Sequence, residues 1–296
     1  MGETRPVFVG LHAPDLAASA RFYREAFGIE LESELQVEVN DLEEAHARAL
    51  AAGAELVGEA LDDRRVYRDT DGNVVTLTLR PQAVRVAGVD MAGGGWAVVV
   101  LEENRIVDAF RCESFAEALL VDAEVIGVDI PIGIPESGSR PADVAARRFV
   151  GSRASSVFST PVRPVLEAPT YAEARAVAVE LTGKSVSAQS YALRHRILEV
   201  DEHANRDARV IEVHPEVSFS ELARRPLLPK KRTDGQAERR ALLEEAGIEV
   251  PESVPRIAEP DLLDAAIAAW SARRFAQGEA LPLPENHQDR VGAIWR

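Results

Sequence analysis

Four aspartates are placed where they could hold a metal ion. Asp90 and Asp129 each close a short apolar run, VRVAGVD at residues 84–90 and EVIGVD at residues 124–129. Runs of this kind read as buried strands, so each carboxylate falls at a strand tip. That is the edge where open α/β sheets build their sites when the strands are parallel neighbours. Asp261 and Asp264, three apart in DLLDAAIAAW, share one face of a helix. The rest of that face is Ala265, Ala268, Ala272 and Phe275, and no basic residue stands four positions beyond either acid. A buried carboxylate without a counter-charge is costly. A divalent cation shared with Asp90 and Asp129 would provide one, and an all-oxygen donor set suits Mg²⁺ or Mn²⁺. The corresponding chemistry is two-metal hydrolysis of a phosphodiester. Each acid also has a plainer role open to it. Asp261 can complement the helix dipole, and Asp90 and Asp129 can hydrogen-bond their own turns.

Other side chains could join them. Glu212 and Glu216 flank His214 in IEVHPE, and Glu212 is a candidate further ligand or base for the attacking water, or else an outward residue of a half-buried strand. His214, ahead of a proline, reads as a turn residue. Arg147, Arg148, Arg153, Arg163, Lys230, Lys231 and Arg232 are the candidate phosphate contacts. They lie in the one basic segment of an acidic chain. The net charge is −15, yet residues 140–240 carry 18 Lys and Arg against 13 Asp and Glu. The acidic total argues against a broad nucleic-acid surface and leaves that segment as the place where nucleic acid or a nucleotide could be met.

The elements that must position these residues follow from the apolar patterning. A meander is predicted over residues 84–111, with Gly93-Gly94-Gly95 as its first turn. Helices are predicted at 114–120, 141–150, 170–182, 188–205 and 234–246, a strand at 209–213, and a closing helix from Pro260-Asp261 to Ala276. The stretch Pro131-Ile132-Gly133-Ile134-Pro135 makes a stiff turn directly after Asp129. Ahead of Pro81 the pattern is different. A strand at 7–13, a helix from Pro14 to Gly28, a strand at 35–39, a helix at 42–52 capped by Asn40-Asp41, a turn at Asp71-Gly72-Asn73 and a strand at 74–79 set residues 1–82 apart from residues 83–296. With 296 residues, 46% hydrophobic, the chain has material for two cores. The single Cys112 excludes an internal disulfide and fits a cytoplasmic protein, and no apolar run is long enough for a membrane span.

Two resemblances give these patterns a shape. LHAPDLAASARFYREAFGIEL, VEVNDLEEAHARALAAGAEL and DTDGNVVTLTL resemble the vicinal-oxygen-chelate fold of glyoxalases and bleomycin-resistance proteins, truncated to about 80 residues. Phe8 and Thr76 stand where that family places metal ligands, which implies a degenerate α+β scaffold without metal, used for association such as a homodimer contact. His12 and His46 are read as surface or helix-face residues. GVDMAGGGW, GVDIPIGIP, RPADVAARRFVGSRASSVFSTPVR, SAQSY, IEVHPEVSF, KKRTDG and DLLDAAIAAW resemble the RNase H-like fold. The match is closer to a family of predicted RNase H-like nucleases known as domain of unknown function 429. That resemblance implies an α/β fold, a mixed sheet with flanking helices, with metal carboxylates at Asp90, Asp129 and Asp264; Asp261 is added by analogy with RuvC-type resolvases. Two other functions stay open: a nucleotide-binding phosphotransferase of the actin-like or sugar-kinase type, and a non-enzymatic interaction module.

Overall fold

The computed structural model describes residues 34–39, 41–58, 60–70, 74–79 and 83–296. The strand at 7–13 with Phe8 and His12, the helix at 14–28 and the turn at Asp71–Asn73 lie outside the described residues. The chain divides into two compact units, Met1–Gln82 and Ala83–Arg296.

In the first unit, β1 (Glu34–Val39) is followed by α1 (Leu42–Ala51), β2 (Glu55–Leu56), β3 (Arg64–Arg68) and β4 (Val74–Leu79). The sheet order is β1-β4-β3-β2, with β1 parallel to β4 and the other pairs antiparallel. Asp41 caps α1 by accepting from the Glu44 amide at 2.9 Å. Leu42, Tyr67 and Leu77 form the small core. The polar stretch between α1 and β4 contributes β3, the antiparallel partner that a hairpin ending in the strand at 74–79 calls for, and the two-residue β2, which no apolar run announces. Thr76 is buried there, and His46 Nδ1 meets the Tyr67 hydroxyl at 2.6 Å.

In the second unit, β5 (Arg85–Ala92), β6 (Gly95–Glu102) and β7 (Arg105–Cys112) form the predicted meander. Gly93 and Gly94, at φ +54° and +83°, make its two-residue turn, a conformation that glycine adopts without strain. After α2 (Phe115–Ala118) the chain enters β8 (Val125–Val128), then α3 (Pro141–Phe149), a 3₁₀ turn (Gly151–Ser156), α4 (Arg163–Glu167) and α5 (Tyr171–Thr182). The helix predicted at 188–205 is two, α6 (Ala188–Ala192) and α7 (Arg194–Ala204). Then come β9 (Val210–Glu212), α8 (Pro215–Ala223), α9 (Thr233–Glu245), α10 (Glu259–Ala276) and a short antiparallel pair, β10 (Pro282–Leu283) and β11 (Ile294–Trp295). The five-stranded sheet has the order β7-β6-β5-β8-β9, with β5, β8 and β9 parallel and β6 antiparallel to both its neighbours, so that β7 again runs in the direction of β5. This is a mixed α/β unit with helices on both faces of the sheet.

The core divides across that sheet. One face is covered by α10, whose Ala265, Ala268, Ala269 and Ala272 are fully buried. The other packs Trp96, Phe115, Ile126 and Ile197 beneath α2 and α7. Small residues set the approach of α10. A Cβ on Gly88 would stand 2.0 Å from the Ala265 carbonyl oxygen and 2.1 Å from the Ala269 nitrogen. Both are backbone atoms, so neither can step aside alone. Gly88→Ala is therefore expected to cost about 1–3 kcal/mol through overpacking, seen as a lower urea midpoint. An unchanged midpoint would mean that α10 lifts freely from the sheet.

Candidate functional site

The site is built by the register of two strands. The last paired residues of β5 and β8 are Val89 and Val128, so Asp90 and Asp129 are the next residue on each. The Asp129 amide donates to the Val89 carbonyl at 3.1 Å. Parallel neighbours in register point equivalent side chains to the same face, which places the two carboxylates side by side. Asp90 is not a strand terminus as expected, since β5 continues two residues beyond it to Ala92 while pairing with β6.

The helix completes the arrangement. Gly88 lies beneath Ala265 and Ala269. Ala268, whose carbonyl carbon would be 2.8 Å from a Cβ on Gly88, lies over it too; two steps of about 3.3 Å along β5 lead to Asp90, and four steps of about 1.5 Å back from Ala268 reach Asp264, nearly the same distance. Asp264 is thereby carried over the strand acids. It is 2% exposed, Asp90 is 8% exposed, and Asp129 and Asp261 are half-buried.

Electrostatics record the crowding. Burial pushes the Asp90 carboxyl well above the usual range, and the charges of Asp129 and Asp264 push it further. Asp129 is raised by burial, helped by Asp264 and opposed by His214. Asp261 is raised by burial and then by Asp264. The basic partner that the helix face lacks in sequence comes from a loop: Lys230 Nζ binds Asp264 Oδ2 at 2.7 Å. Burial works against the lysine's charge, but Asp264, Asp129 and Asp90 outweigh it and raise its pKa. Lys230, expected as a phosphate contact, is thus the counter-ion of the acids. His214 also belongs here rather than in a plain turn. It N-caps α8 without a side-chain capping bond, and its Nδ1 is shut off from solvent with no hydrogen-bond partner among the described residues. As the side chains stand, no group of three or more His, Cys, Asp or Glu among the described residues is disposed to hold a metal ion.

Several other expectations are corrected. Glu212, proposed as a ligand or base, is 3% exposed and faces Arg140 through both carboxylate oxygens, one of them at 2.8 Å. It also accepts from the Ile132 amide at 2.6 Å. Burial pushes its carboxyl up to about 7, with Arg140 pulling against it. It is a buried strut, neither outward-facing nor joined to the aspartates. Arg153 is bound to Glu216 at 2.8 Å, and Arg163 to Asp201 at 2.6 Å, where Asp201 also accepts from the Gly133 amide. Both arginines brace the fold and are not free for phosphate. Arg232 pairs with Asp234 at 2.7 Å. Lys231 and Arg148 are exposed and make no ion pair among the described residues, and Arg147 lines a cavity beside α3. Glu216 is buried between Arg153 and Arg239, the latter at 2.8 Å.

The family described as protein of unknown function DUF429 matches residues 88–289, which includes all four aspartates. The chain belongs to this family. Its description carries no activity, so what this member does must be argued from its own geometry. No curated protein and no solved structure matches the chain. No helix among the described residues is long and apolar enough to cross a membrane.

Proposed function

We propose that the unit Ala83–Arg296 is a metal-dependent phosphodiesterase of the RNase H-like type, acting on a nucleic acid or nucleotide. The supporting observation is the convergence of Asp90, Asp129 and Asp264 from two adjacent parallel strands and the helix across them, with Asp90 and Asp129 pushed up by burial and Asp264's charge adding to both. Carboxylates held together against their own repulsion are a feature of functional sites. The sheet order, with β6 alone running against four strands of common direction, supports the fold assignment.

The donor chemistry fits Mg²⁺ or Mn²⁺: oxygen atoms only, and more negative charge than one ammonium balances. Such an ion would polarise a phosphoryl oxygen and lower the pKa of a bound water. Asp90 and Asp129 would hold it from the rigid sheet, with Asp264 from α10 and Asp261 at the rim. Asp264, now paired with Lys230, would give up that partner to serve as a ligand. Lys230, 49% exposed, can then turn to a phosphate oxygen, which returns to it the substrate role read from the sequence. A kinase-like reading would need a second lobe to enclose nucleotide, and Ala83–Arg296 is one compact unit around one five-stranded sheet.

The test is calorimetry of the full chain with Mn²⁺, joined to a Mg²⁺- or Mn²⁺-dependent cleavage screen on short DNA and RNA. Binding and cleavage are expected, and Asp129→Asn should weaken both by about 100-fold or more, since even residues behind a ligand cost 10–100-fold. Absence of Mn²⁺ binding in the millimolar range would sink the proposal and favour an interaction module.

A further inference from the structure

We propose that a second site, the cavity between α3, the Ser155–Val162 segment and the Lys184–Ser190 segment, binds a phosphomonoester of about nucleotide size. The cavity has a volume of about 520 Å³, within the range of roughly 300–1,000 Å³ typical of small-molecule sites. Two stretches singled out in the sequence, RPADVAARRFVGSRASSVFSTPVR and SAQSY, supply most of its lining, and neither contributes a carboxylate to the proposed metal centre.

Its charges select an anion. The one carboxylate in the lining is Asp143, and it is already satisfied: it accepts from Arg140 at 2.9 Å, from the Thr160 amide at 2.6 Å and from the Thr160 hydroxyl at 3.1 Å. Arg140 is in turn neutralised by Glu212. That leaves Arg147 and Lys184, neither of which makes an ion pair among the described residues. The Arg147 Nε is shut off from solvent and has no hydrogen-bond partner among the described residues, a state that normally signals a missing partner. Two uncommitted cations match a phosphate dianion.

The neutral groups fit the same ligand. Eight of the 21 lining residues are Ser or Thr. Ser139, Ser155 and Ser159 are exposed residues of the lining whose hydroxyls make no hydrogen bond among the described residues, so they can donate to phosphate or meet sugar hydroxyls. Phe158 and Val186, both half-buried, give an apolar wall for the organic body. A metal ion is excluded by the lack of an uncommitted carboxylate, and a purely apolar ligand by the hydroxyl lining.

The inference stands apart from the metal centre, and its test does too, because it is made in EDTA. The full-length protein is titrated calorimetrically with AMP, ribose 5-phosphate and inorganic phosphate. At least one ester is expected to bind with Kd below about 1 mM. Arg147→Gln and Lys184→Gln should each weaken that binding about tenfold or more through loss of a charge-assisted hydrogen bond. Lys184 is exposed, so its variant keeps the native melting temperature. Binding of AMP alone identifies a nucleotide ligand, and binding of both esters a sugar-phosphate one; either supports the proposal. Silence of both esters, binding indifferent to both variants, or inorganic phosphate binding as tightly as the esters overturns it.

Discussion

Asp90→Asn is expected to make the metal-free protein more stable while abolishing Mn²⁺ binding and any cleavage. The sign follows from the folded-state pKa. Burial, Asp129 and Asp264 raise Asp90 above its unfolded value, so between those two values the folded chain holds a proton that the unfolded chain has lost. Stability then falls as pH rises through that window, and the penalty persists at neutral pH. Asparagine has nothing to ionise and removes the penalty. The gain should be about 0.5–2 kcal/mol, the size usual for substitutions that relieve a strained site, or a few degrees of melting temperature for a unit of this size. It should vanish toward acid pH, where wild type is protonated as well. Melting curves in EDTA at two pH values, compared with curves in Mn²⁺, give all the readouts. The metal should stabilise wild type and leave the variant unmoved. An Asp90→Asn variant that is less stable in EDTA and equally stabilised by Mn²⁺ would return Asp90 to a role in its own turn.

What the sequence disclosed and what it hid have a common cause. Features written within a few residues were readable. The apolar runs ending at Asp90 and Asp129, the Gly93-Gly94 turn, the Asp261/Asp264 helix face and the helix at 170–182 all have local signatures, and each element is present. Partners brought together by topology were not. Lys230 meets Asp264 across 34 residues of sequence, and Arg140 meets Glu212 across 72. No spacing rule reports such pairs, so Asp264 looked partnerless and Glu212 looked available. The helix α8 follows β9 within three residues and went unread, although Pro215 at its first position was the signal that could have found it. At two residues each, β10 and β11 are too short to show any period. The arginines nominated for phosphate illustrate the same limit. Their charge was legible, but whether a carboxylate from another element had claimed it, as Glu216 and Asp201 have, was not.

Arg140→Ala is expected to be the most destabilising single change in this unit. Burial opposes the guanidinium's charge, but Glu212 and Asp143 more than restore it and raise its pKa. It is 2% exposed, and besides those two carboxylates it donates to the Ile132 carbonyl at 2.8 Å. Glu212 accepts from the amide of the same Ile132, so the pair holds the backbone N–H and C=O of a residue three positions beyond Asp129. Truncation strands two buried carboxylates and frees that turn. Breaking a buried pair from one side costs about 3–5 kcal/mol. The loss should be smaller at low pH. Glu212 is pushed up to about 7 even with Arg140 present, and without the arginine it rises further, so protonation below that range discharges the stranded group. Urea unfolding of Arg140→Ala at pH 5.5 and pH 8 tests this, with the larger deficit expected at pH 8 and partial recovery in the Arg140→Ala/Glu212→Gln double variant. Equal deficits at both pH values, with no recovery in the double variant, would assign the cost to lost packing of the arginine's stem instead. Asp129 would then owe its position to the β5–β8 register alone.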